Sequence, residues 1–332
     1  MRVALILPYF GTMPNYFPLW LKTAGYNPDF TFMIFTDCDM TGFNLPDNVQ
    51  VHSMTLEKVR SLIAPHFDFD FILDRPYKLC DYKPIYGLIF HDWINGYDFW
   101  GYCDPDIIWG DLRNFLTDDE LNNYDRLGNR GPLCLYRNNE KSLTFALNKM
   151  PGYLISYRDV YRSRTSMFFD ESKLLVELFD KFVGGKQTRI TGRAEVVAYR
   201  RQFTLGEIPM RAFRWDRGKL YGFCDDGEVK EFSYVHLQKR AMNFDRGLEN
   251  DDSFLILPTK FTEDHELTQE EITDSMTPSS EYVAQWEKKH RQTTPSAKLA
   301  RRFENFMNDT LTGKTATFKW LIDAKKHHGW LS

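Results

Sequence analysis

Apolar runs alternate with helically spaced apolar residues over the N-terminal third of the chain. Continuous or alternating apolar runs predict strands at residues 3–7, 30–35, 49–54 and 97–103. Helical spacing of apolar residues predicts helices at residues 14–24, 56–64 and 83–94. Strand–helix–strand alternation of this kind favours an α/β sheet covered by helices.

The pattern is less regular after residue 111. It predicts a helix at residues 169–182, strands at 194–199 and 230–237, and a short buried run at 254–257. The charge then changes: residues 261–287 hold eight acidic residues and no Lys or Arg, whereas residues 288–332 hold ten basic and three acidic residues. We therefore divide the chain into a domain at 1–257 and a C-terminal part at 258–332, which combines an acidic linker with a basic helical extension.

The basic extension has two interpretations. It carries aromatic residues, among them Trp320 and Trp330, and a basic, aromatic, helix-compatible segment is suited to an anionic membrane surface. The alternative is a solvated helix that packs on the domain. Peripheral membrane contact through this segment is thus one of two expectations.

Composition describes a globular chain with a sizeable core. Of 332 residues, 42% are hydrophobic and 27% charged, which argues against intrinsic disorder. The net charge of -4 excludes a generally basic nucleic-acid-binding protein. Five cysteines without a CxxC pair exclude a disulfide scaffold and a zinc ribbon, and they favour a reducing cytoplasm. No apolar stretch approaches the roughly 18 residues of a membrane span, and the N-terminus is predicted to be a strand, not a signal peptide.

Candidate chemistry begins with Asp104-Pro105-Asp106, directly after the aromatic-rich strand. In a turn just past a strand end, two carboxylates separated by one residue can converge on one cation, and Pro105 disfavours continued regular pairing. Ligands of open α/β sheets bind at the carboxyl ends of strands, and hard oxygen ligands suit Mg²⁺ or Mn²⁺. The alternative is a polar turn in which one aspartate is a cap.

The stretch 78–112, KLCDYKPIYGLIFHDWINGYDFWGYCDPDIIWGDL, resembles the nucleotide-sugar-binding half of GT-A-fold glycosyltransferases, most closely bacterial enzymes of capsule, O-antigen and related surface-polysaccharide synthesis. ALILPYFG and FMIFTD are similar to the first two strands of that family, and YVHLQKR at 234–240 to its late strand with a metal-binding His. The resemblance covers residues 1–257. It implies a GT-A-like, Rossmann-type mixed sheet flanked by helices, with a nucleotide-sugar half at 1–112 and an acceptor half at 113–257.

The resemblance also implies roles for individual residues. Asp104 and Asp106 would hold Mn²⁺ or Mg²⁺, with the neutral imidazole of His236 as third ligand. Contacts with the nucleotide sugar are implied for Pro8, Tyr9, Asp37, Lys83, Asp104, Lys239 and Arg240. The first two would hold the base, Asp37 would accept from uracil or ribose, and the basic residues would contact phosphates. The alternatives are a strand histidine, a turn aspartate and solvated surface bases.

Asp170 and Glu171 are the candidate catalytic pair on the acceptor side. An inverting transfer needs a carboxylate that takes a proton from the acceptor hydroxyl. The alternative is an Asp N-cap with Glu in the first turn of the predicted helix. A retaining transfer needs no such base, so the stereochemistry stays open.

We therefore expect a metal-dependent transferase that moves a sugar from a UDP-linked hexose, such as UDP-galactose or UDP-glucose, to a glycan or lipid-linked oligosaccharide in cell-surface polysaccharide synthesis. It would work in the cytoplasm, at the inner face of the plasma membrane. One alternative is a non-catalytic carbohydrate-binding or scaffold protein of the same fold. The other, a sugar-phosphate nucleotidyltransferase, is disfavoured because the turn PYFGTMPN lacks a Gly-rich, basic loop for a triphosphate.

Overall fold

The computed structural model describes residues 1–275 except 129, 197–202, 206, 207, 241, 245 and 246, together with residues 316, 319, 322, 323 and 326. The strands, in chain order, are β1 (Val3–Pro8), β2 (Phe30–Thr36), β3 (Val49–Ser53), β4 (Phe99–Tyr102), β5 (Ile107–Trp109), β6 (Arg126–Leu127), β7 (Cys134–Arg137), β8 (Gln187–Thr188), β9 (Arg193–Glu195), β10 (Phe203–Leu205), β11 (Ile208–Asp216), β12 (Lys219–Cys224), β13 (Val229–Phe232), β14 (Tyr234–His236), β15 (Ser253–Leu257) and β16 (Lys260–Glu263). The α-helices are α1 (Phe17–Gly25), α2 (Leu56–Ile63), α3 (Tyr86–Ile89), α4 (Asp118–Asn123), α5 (Glu140–Thr144), α6 (Tyr157–Arg162), α7 (Lys173–Phe182) and α8 (Gln269–Ser275).

A seven-stranded mixed sheet in the order β3-β2-β1-β4-β7-β6-β8 forms the centre of the molecule. Strands β1 to β4 run parallel, β7 is antiparallel to β4 and β6, and β8 runs parallel to β6. As a result, the carboxyl ends of all these strands except β7 lie at one edge of the sheet. Functional side chains placed just after those ends can therefore meet.

The apolar strands are buried on both faces of this sheet. Alternate residues of β1 belong to different cores: Val3 and Leu5 pack with α1, whereas Ala4 and Ile6 face the cluster that α2, α3 and α7 help to form. This explains why β1 is a continuous apolar run. The predicted α/β fold with a mixed sheet flanked by helices is confirmed, and the arrangement is consistent with a GT-A-like fold.

Two smaller sheets adjoin the carboxyl-edge region. The antiparallel strands β13-β12-β11-β15-β16, with β10 beside β11, form one sheet, and β5-β14-β9 form the other. In the small sheet His236 pairs in register with Ile107 and with Glu195. The small sheet thereby brings the segment after Asp106 next to residues that lie far away in sequence.

Four predicted elements differ from the observed ones. The helix predicted at 83–94 is a 3₁₀ segment at Pro76–Ile85, the short α3 and a 3₁₀ turn, because Pro84 lacks a backbone donor and disfavours helical geometry at the preceding residue. The strand predicted at 230–237 is divided at Ser233. The Ser233 carbonyl accepts from the Gly110 amide and the Ser233 amide donates to the Gly192 carbonyl, so β14 belongs to a different sheet from β13. The strand predicted at 194–199 is β9 in its first part, and residues 197–199 lie outside the described residues.

The fourth difference concerns the predicted helix at 169–182. Its first turn is a separate 3₁₀ segment, Phe169–Glu171, and α7 begins after Ser172, whose side chain accepts from the Leu175 amide. Ser172 is the N-cap, so the interpretation of Asp170 as the cap is wrong. The side chain of Asp170 is instead buried.

The basic C-terminal extension lies mostly outside the described residues. Its described residues are helical, and three of them contact residues 152–159. The buried Asp323 carboxylate accepts from the Leu154 and Ile155 amides, and Lys319 pairs with Asp159 at 2.6 Å. In the described part of the chain, none of the helices combines the length and apolar character that a membrane crossing needs.

Candidate active site

A cavity of about 1190 Å³ opens at the carboxyl edge of the large sheet. It is lined by residues that follow β1 and β4, by the 3₁₀ segment around Lys83, and by residues of β9 and the turn after β14. Of the predicted site residues, it brings together Pro8, Tyr9, Lys83, Asp104, Asp106, Asp170, Glu171, His236 and Lys239. These positions span most of the domain, so the cavity is a product of the fold and not of one motif.

Asp104, Asp106 and His236 form a group whose possible ligand atoms all lie within 4.8 Å of one another. Strand pairing places His236 beside Asp106, because β14 aligns His236 with Ile107, the residue that follows Asp106. Its Nε2 lies 3.3 Å from Asp106 Oδ1. Two carboxylates and one imidazole form a donor set that fits Mn²⁺ or Mg²⁺.

Glu195 is a site residue that sequence reasoning missed. Its Oε2 lies 2.7 Å from His236 Nδ1, and its Oε1 accepts from the Tyr234 hydroxyl at 3.0 Å. Burial lowers the pKa of His236, but hydrogen bonds and charges of Asp106 and Glu195 outweigh this effect and raise it to about 10. Without a cation the ring is therefore protonated near neutral pH, and a cation at Nε2 would displace that proton and leave the neutral imidazole that a ligand needs. A carboxylate on one ring nitrogen directs the other nitrogen towards the candidate cation site. The polar residue at 195, within the strand predicted at 194–199, was the available signal.

The turn after β14 is strained and faces the cavity. Gln238 and Lys239 have φ values of 51° and 60°, which non-glycine residues rarely adopt. This conformation lets the Lys239 amide donate to Asp106 Oδ2 at 2.6 Å. The Lys239 ammonium lies 4.1 Å from the centre of the Tyr77 ring, on the cavity wall. Backbone strain of this kind persists where the surrounding structure imposes it, commonly at functional sites.

Lys83 links the Asp-Pro-Asp turn to the candidate catalytic pair. Its ammonium lies 2.9 Å from Asp104 Oδ1 and 3.2 Å from Asp170 Oδ2. Burial raises the pKa of Asp170, and although Lys83 opposes this, the resulting value is about 7. Asp170 Oδ1 has no hydrogen-bond partner among the described residues. Asp170 is thus a buried carboxyl group with a free oxygen and a pKa near neutrality, which suits a proton acceptor.

A buried ion pair positions the backbone that carries Asp170. Lys78 and Asp81, both fully buried, are 2.6 Å apart. Asp81 also accepts from the amides of Met167 and Phe169, on either side of Phe168, which has a left-handed φ of 51°. Through Asp81, the 3₁₀ segment therefore holds the backbone at residues 167–169, next to the buried Asp170.

Two predicted nucleotide contacts lie outside the lining of this cavity. Asp37 is exposed beyond the end of β2. Arg240 is buried, donates to the Pro258 carbonyl and lies 5.0 Å above the Phe203 ring, so its charge points into the second sheet. Its sequence neighbour Lys239 faces the cavity because the left-handed turn sends consecutive side chains in different directions.

A family model matches residues 5–265 of the chain. The chain belongs to a family of unknown function, DUF6625. No curated protein shows significant similarity to this member of DUF6625. Among solved structures, it is similar to the galactosyltransferase LgtC in complex with donor and acceptor sugar analogues, at 10% sequence identity and a TM-score of 0.23. The match covers 57% of this chain and 67% of that one, and a likeness of this degree carries no argument about activity.

Proposed function

We propose that this DUF6625 member is a metal-dependent glycosyltransferase that moves a sugar from a nucleotide donor to a glycan acceptor. The observation that supports this most directly is the group formed by Asp104, Asp106 and His236 inside a large cavity. A donor set of hard ligands at the carboxyl edge of an α/β sheet suits a cation-bound diphosphate. The cavity has room for a sugar nucleotide and part of an acceptor.

Asp104, Asp106 and His236 would hold the cation, which when bound neutralises negative charge on the departing nucleoside diphosphate. Glu195 orients the His236 ring through its 2.7 Å contact. Lys83 restrains the Asp104 carboxylate, and Lys239 presents an ammonium group to phosphate oxygens at the cavity wall. Tyr9, on the wall beside the end of β1, offers a ring face to the nucleobase.

Asp170 would take the proton of the attacking acceptor hydroxyl. Its free oxygen and its pKa of about 7 match what a general base needs near neutral pH. Glu171, adjacent to it on the cavity wall, is the second candidate, and burial also raises its pKa. A carboxylate that takes the acceptor proton is what an inverting transfer needs, so this role for Asp170 or Glu171 applies to an inverting reaction.

The resemblance of residues 78–112 to surface-polysaccharide enzymes supports the finer part of the proposal. The donor would be a UDP-linked hexose, such as UDP-galactose or UDP-glucose, and the acceptor a glycan or lipid-linked oligosaccharide of a cell-surface polysaccharide. The reaction would take place in the cytoplasm at the inner face of the plasma membrane. The basic residues of the C-terminal extension would supply a peripheral contact there.

Calorimetry with UDP and MnCl₂ tests the proposal. We expect Mn²⁺ to strengthen UDP binding to the wild type, and the Asp104→Asn/Asp106→Asn variant to bind UDP no better with Mn²⁺ than with EDTA. Asp111→Asn is the matched control, because Asp111 is close in sequence but caps the segment after β5 by accepting from the Arg113 amide. Equal Mn²⁺-dependent UDP affinity in the wild type and the double variant would contradict the proposed metal site.

A screen of UDP-, GDP- and dTDP-sugars with Mn²⁺ then identifies the donor through release of the nucleoside diphosphate. Turnover of one donor, lost in the double variant, supports a transferase. Binding of glycans without turnover of any donor would instead favour the non-catalytic carbohydrate-binding protein.

A further inference from the structure

Tyr77 combines a place on the cavity wall with an exposed aromatic ring. It lies in the 3₁₀ segment Pro76–Ile85, and 47% of the residue is exposed. Among the large exposed apolar side chains of the described residues, it is the one that lines the cavity. Within that part of the chain, its hydroxyl makes no hydrogen bond and its ring contacts no other aromatic ring. The proposed transfer reaction gives this ring no role.

The backbone on either side of Tyr77 is anchored. The Arg75 guanidinium donates to the Arg164 carbonyl at 2.6 Å. Lys78 is fully buried and pairs with Asp81 at 2.6 Å. A tyrosine held in this way loses little conformational freedom when a ligand packs on its ring, and this lowers the cost of binding.

Lys239 occupies one face of the Tyr77 ring and connects it to the candidate metal group. The Lys239 ammonium lies 4.1 Å from the ring centre and has no ion pair or hydrogen bond within the described chain. The amide of the same residue donates to Asp106 Oδ2. A cation over one face of an aromatic ring leaves the opposite face to another partner.

Tyr77 also lies near the candidate catalytic pair. Its 3₁₀ segment packs against the segment Phe169–Glu171, and both segments contribute to the cavity wall. Burial raises the pKa of the Tyr77 hydroxyl to about 12, and the charges of Cys80 and Asp170 act in the same direction. Lys83 opposes this rise of the pKa, and the charge of Glu171 adds to it. An acceptor hydroxyl that gives its proton to Asp170 would therefore bring its sugar ring close to Tyr77.

We infer that Tyr77 binds the acceptor, with one C–H face of a pyranose ring packed against the Tyr77 ring beside Asp170. A tyrosine offers a large apolar face and a hydroxyl at its edge. A pyranose ring offers the complementary surface, a C–H face surrounded by hydroxyl groups. The role of this sugar as acceptor rests on the proposed function, whereas the sugar site itself rests on the position and exposure of Tyr77.

Saturation-transfer NMR tests the inference with methyl β-glucopyranoside and methyl β-galactopyranoside, in the presence of UDP and the diamagnetic cation Mg²⁺. We expect at least one glycoside to bind, with most of the saturation on the protons of one ring face. Tyr77→Ala should weaken this binding about tenfold. Tyr77→Phe keeps the aromatic face and should stay within about threefold of the wild type.

Tyr26→Ala is the matched control. Tyr26 is also exposed and has the Lys22 ammonium over its ring, but it does not line the cavity. This variant should bind the glycoside like the wild type. Metal-dependent UDP binding at the wild-type level would show that Tyr77→Ala is folded.

Three results would overturn the inference. The first is a wild type that binds neither glycoside, and the second is equal glycoside binding by the wild type and Tyr77→Ala. The third is a loss of affinity for UDP, UDP-glucose or UDP-galactose in Tyr77→Ala as large as the loss for the glycoside, because the ring would then serve the donor.

These outcomes are distinguishable from failure of the proposed function. Metal-dependent UDP binding without Tyr77-dependent glycoside binding overturns the inference and leaves the transferase proposal in place. A wild type that does not bind UDP with Mn²⁺ or Mg²⁺ contradicts the transferase proposal. Tyr77-dependent glycoside binding in that case would still support a sugar site at this ring.

Discussion

At the scale of single residues, Glu195 has the clearest effect on a candidate ligand. Its Oε2 lies 2.7 Å from His236 Nδ1, the ring nitrogen that faces away from Asp106, and its Oε1 accepts from the Tyr234 hydroxyl. The histidine ring therefore cannot rotate without breaking a charge-assisted hydrogen bond. A carboxylate in this position keeps the ring of a metal-binding histidine oriented and raises its basicity.

Glu195→Gln is expected to weaken Mn²⁺ binding by about 10- to 100-fold, because the ring loses its anionic partner. Titration of Mn²⁺ followed by electron paramagnetic resonance measures this directly, without any turnover. Glu57→Gln, an exposed position on α2, is the control and should bind Mn²⁺ like the wild type. Unchanged Mn²⁺ affinity in Glu195→Gln would mean that the contact with His236 does not position a ligand.

Asp170→Asn is expected to lower the rate of transfer by about 10²- to 10⁴-fold, because the amide cannot accept the proton. A base acts in its ionised form, so the wild-type rate should rise with pH through the Asp170 pKa of about 7 and level off above it. This rise of the rate with pH should disappear in Asp170→Asn, whereas the affinity for UDP with Mn²⁺ should stay close to the wild-type value.

Glu171→Gln is the matched comparison for Asp170→Asn. If only the Glu171 variant loses the rise of the rate with pH, the proton acceptor is Glu171. If both variants keep full activity and the wild-type profile, no carboxylate of this pair acts as a base.

At the scale of secondary-structure elements, the 3₁₀ segment Pro76–Ile85 positions the cavity wall around Asp170. It carries Lys83 towards the cavity and the Lys78–Asp81 pair into the core. Asp81 in turn accepts from two amides of the loop before Asp170. Gly87, just after the segment, packs so closely that an added Cβ would lie 2.4 Å from the Trp100 ring of β4.

Asp81→Ala is expected to lower the free energy of unfolding by about 3–5 kcal/mol, because it leaves the Lys78 ammonium buried without its counter-charge. Urea denaturation measures the change. Asp74→Ala, which removes a half-exposed carboxylate, should cost less than about 1 kcal/mol. Replacing both Lys78 and Asp81 by apolar residues should recover part of the stability. A loss no larger in Asp81→Ala than in Asp74→Ala would show that the buried pair does not stabilise this segment.

At the scale of the whole molecule, the C-terminal extension connects back to the segment 152–159 of the domain. Asp323, fully buried, accepts from backbone amides before α6, and Lys319 pairs with Asp159 in α6. Both contacts belong to one helical face. They favour the packed-extension interpretation for these residues, and membrane contact by the remainder of the extension stays a prediction.

Asp323→Ala is expected to lower the free energy of unfolding by about 2–3 kcal/mol, because two backbone amides lose a charged acceptor. Thermal or urea unfolding checks this, with Lys326→Ala as the comparison: the Lys326 ammonium is exposed and donates to the Gly152 carbonyl at 3.3 Å, so its loss should cost about 1 kcal/mol or less. Liposome co-sedimentation at low salt of chains with and without residues 288–332 tests membrane contact separately. A stability of Asp323→Ala equal to the wild type would contradict the packing of this helix.

The sequence by itself determined the strands β1 to β4, the helices α1 and α2, and the Asp-Pro-Asp turn at a strand end, because these depend on local apolar periodicity and turn chemistry. It also indicated His236, although only through a resemblance. Only the tertiary structure decided that Glu195 contacts His236, that Asp170 is buried while Ser172 caps α7, and that Lys239 faces the cavity while Arg240 does not. These outcomes depend on the pairing of β14 with β5 and β9, on a buried ion pair and on a left-handed turn. The strand pairing, and the contacts of Asp81 with the amides of Met167 and Phe169, join residues far apart in the chain, and periodicity over a short window contains no information about them.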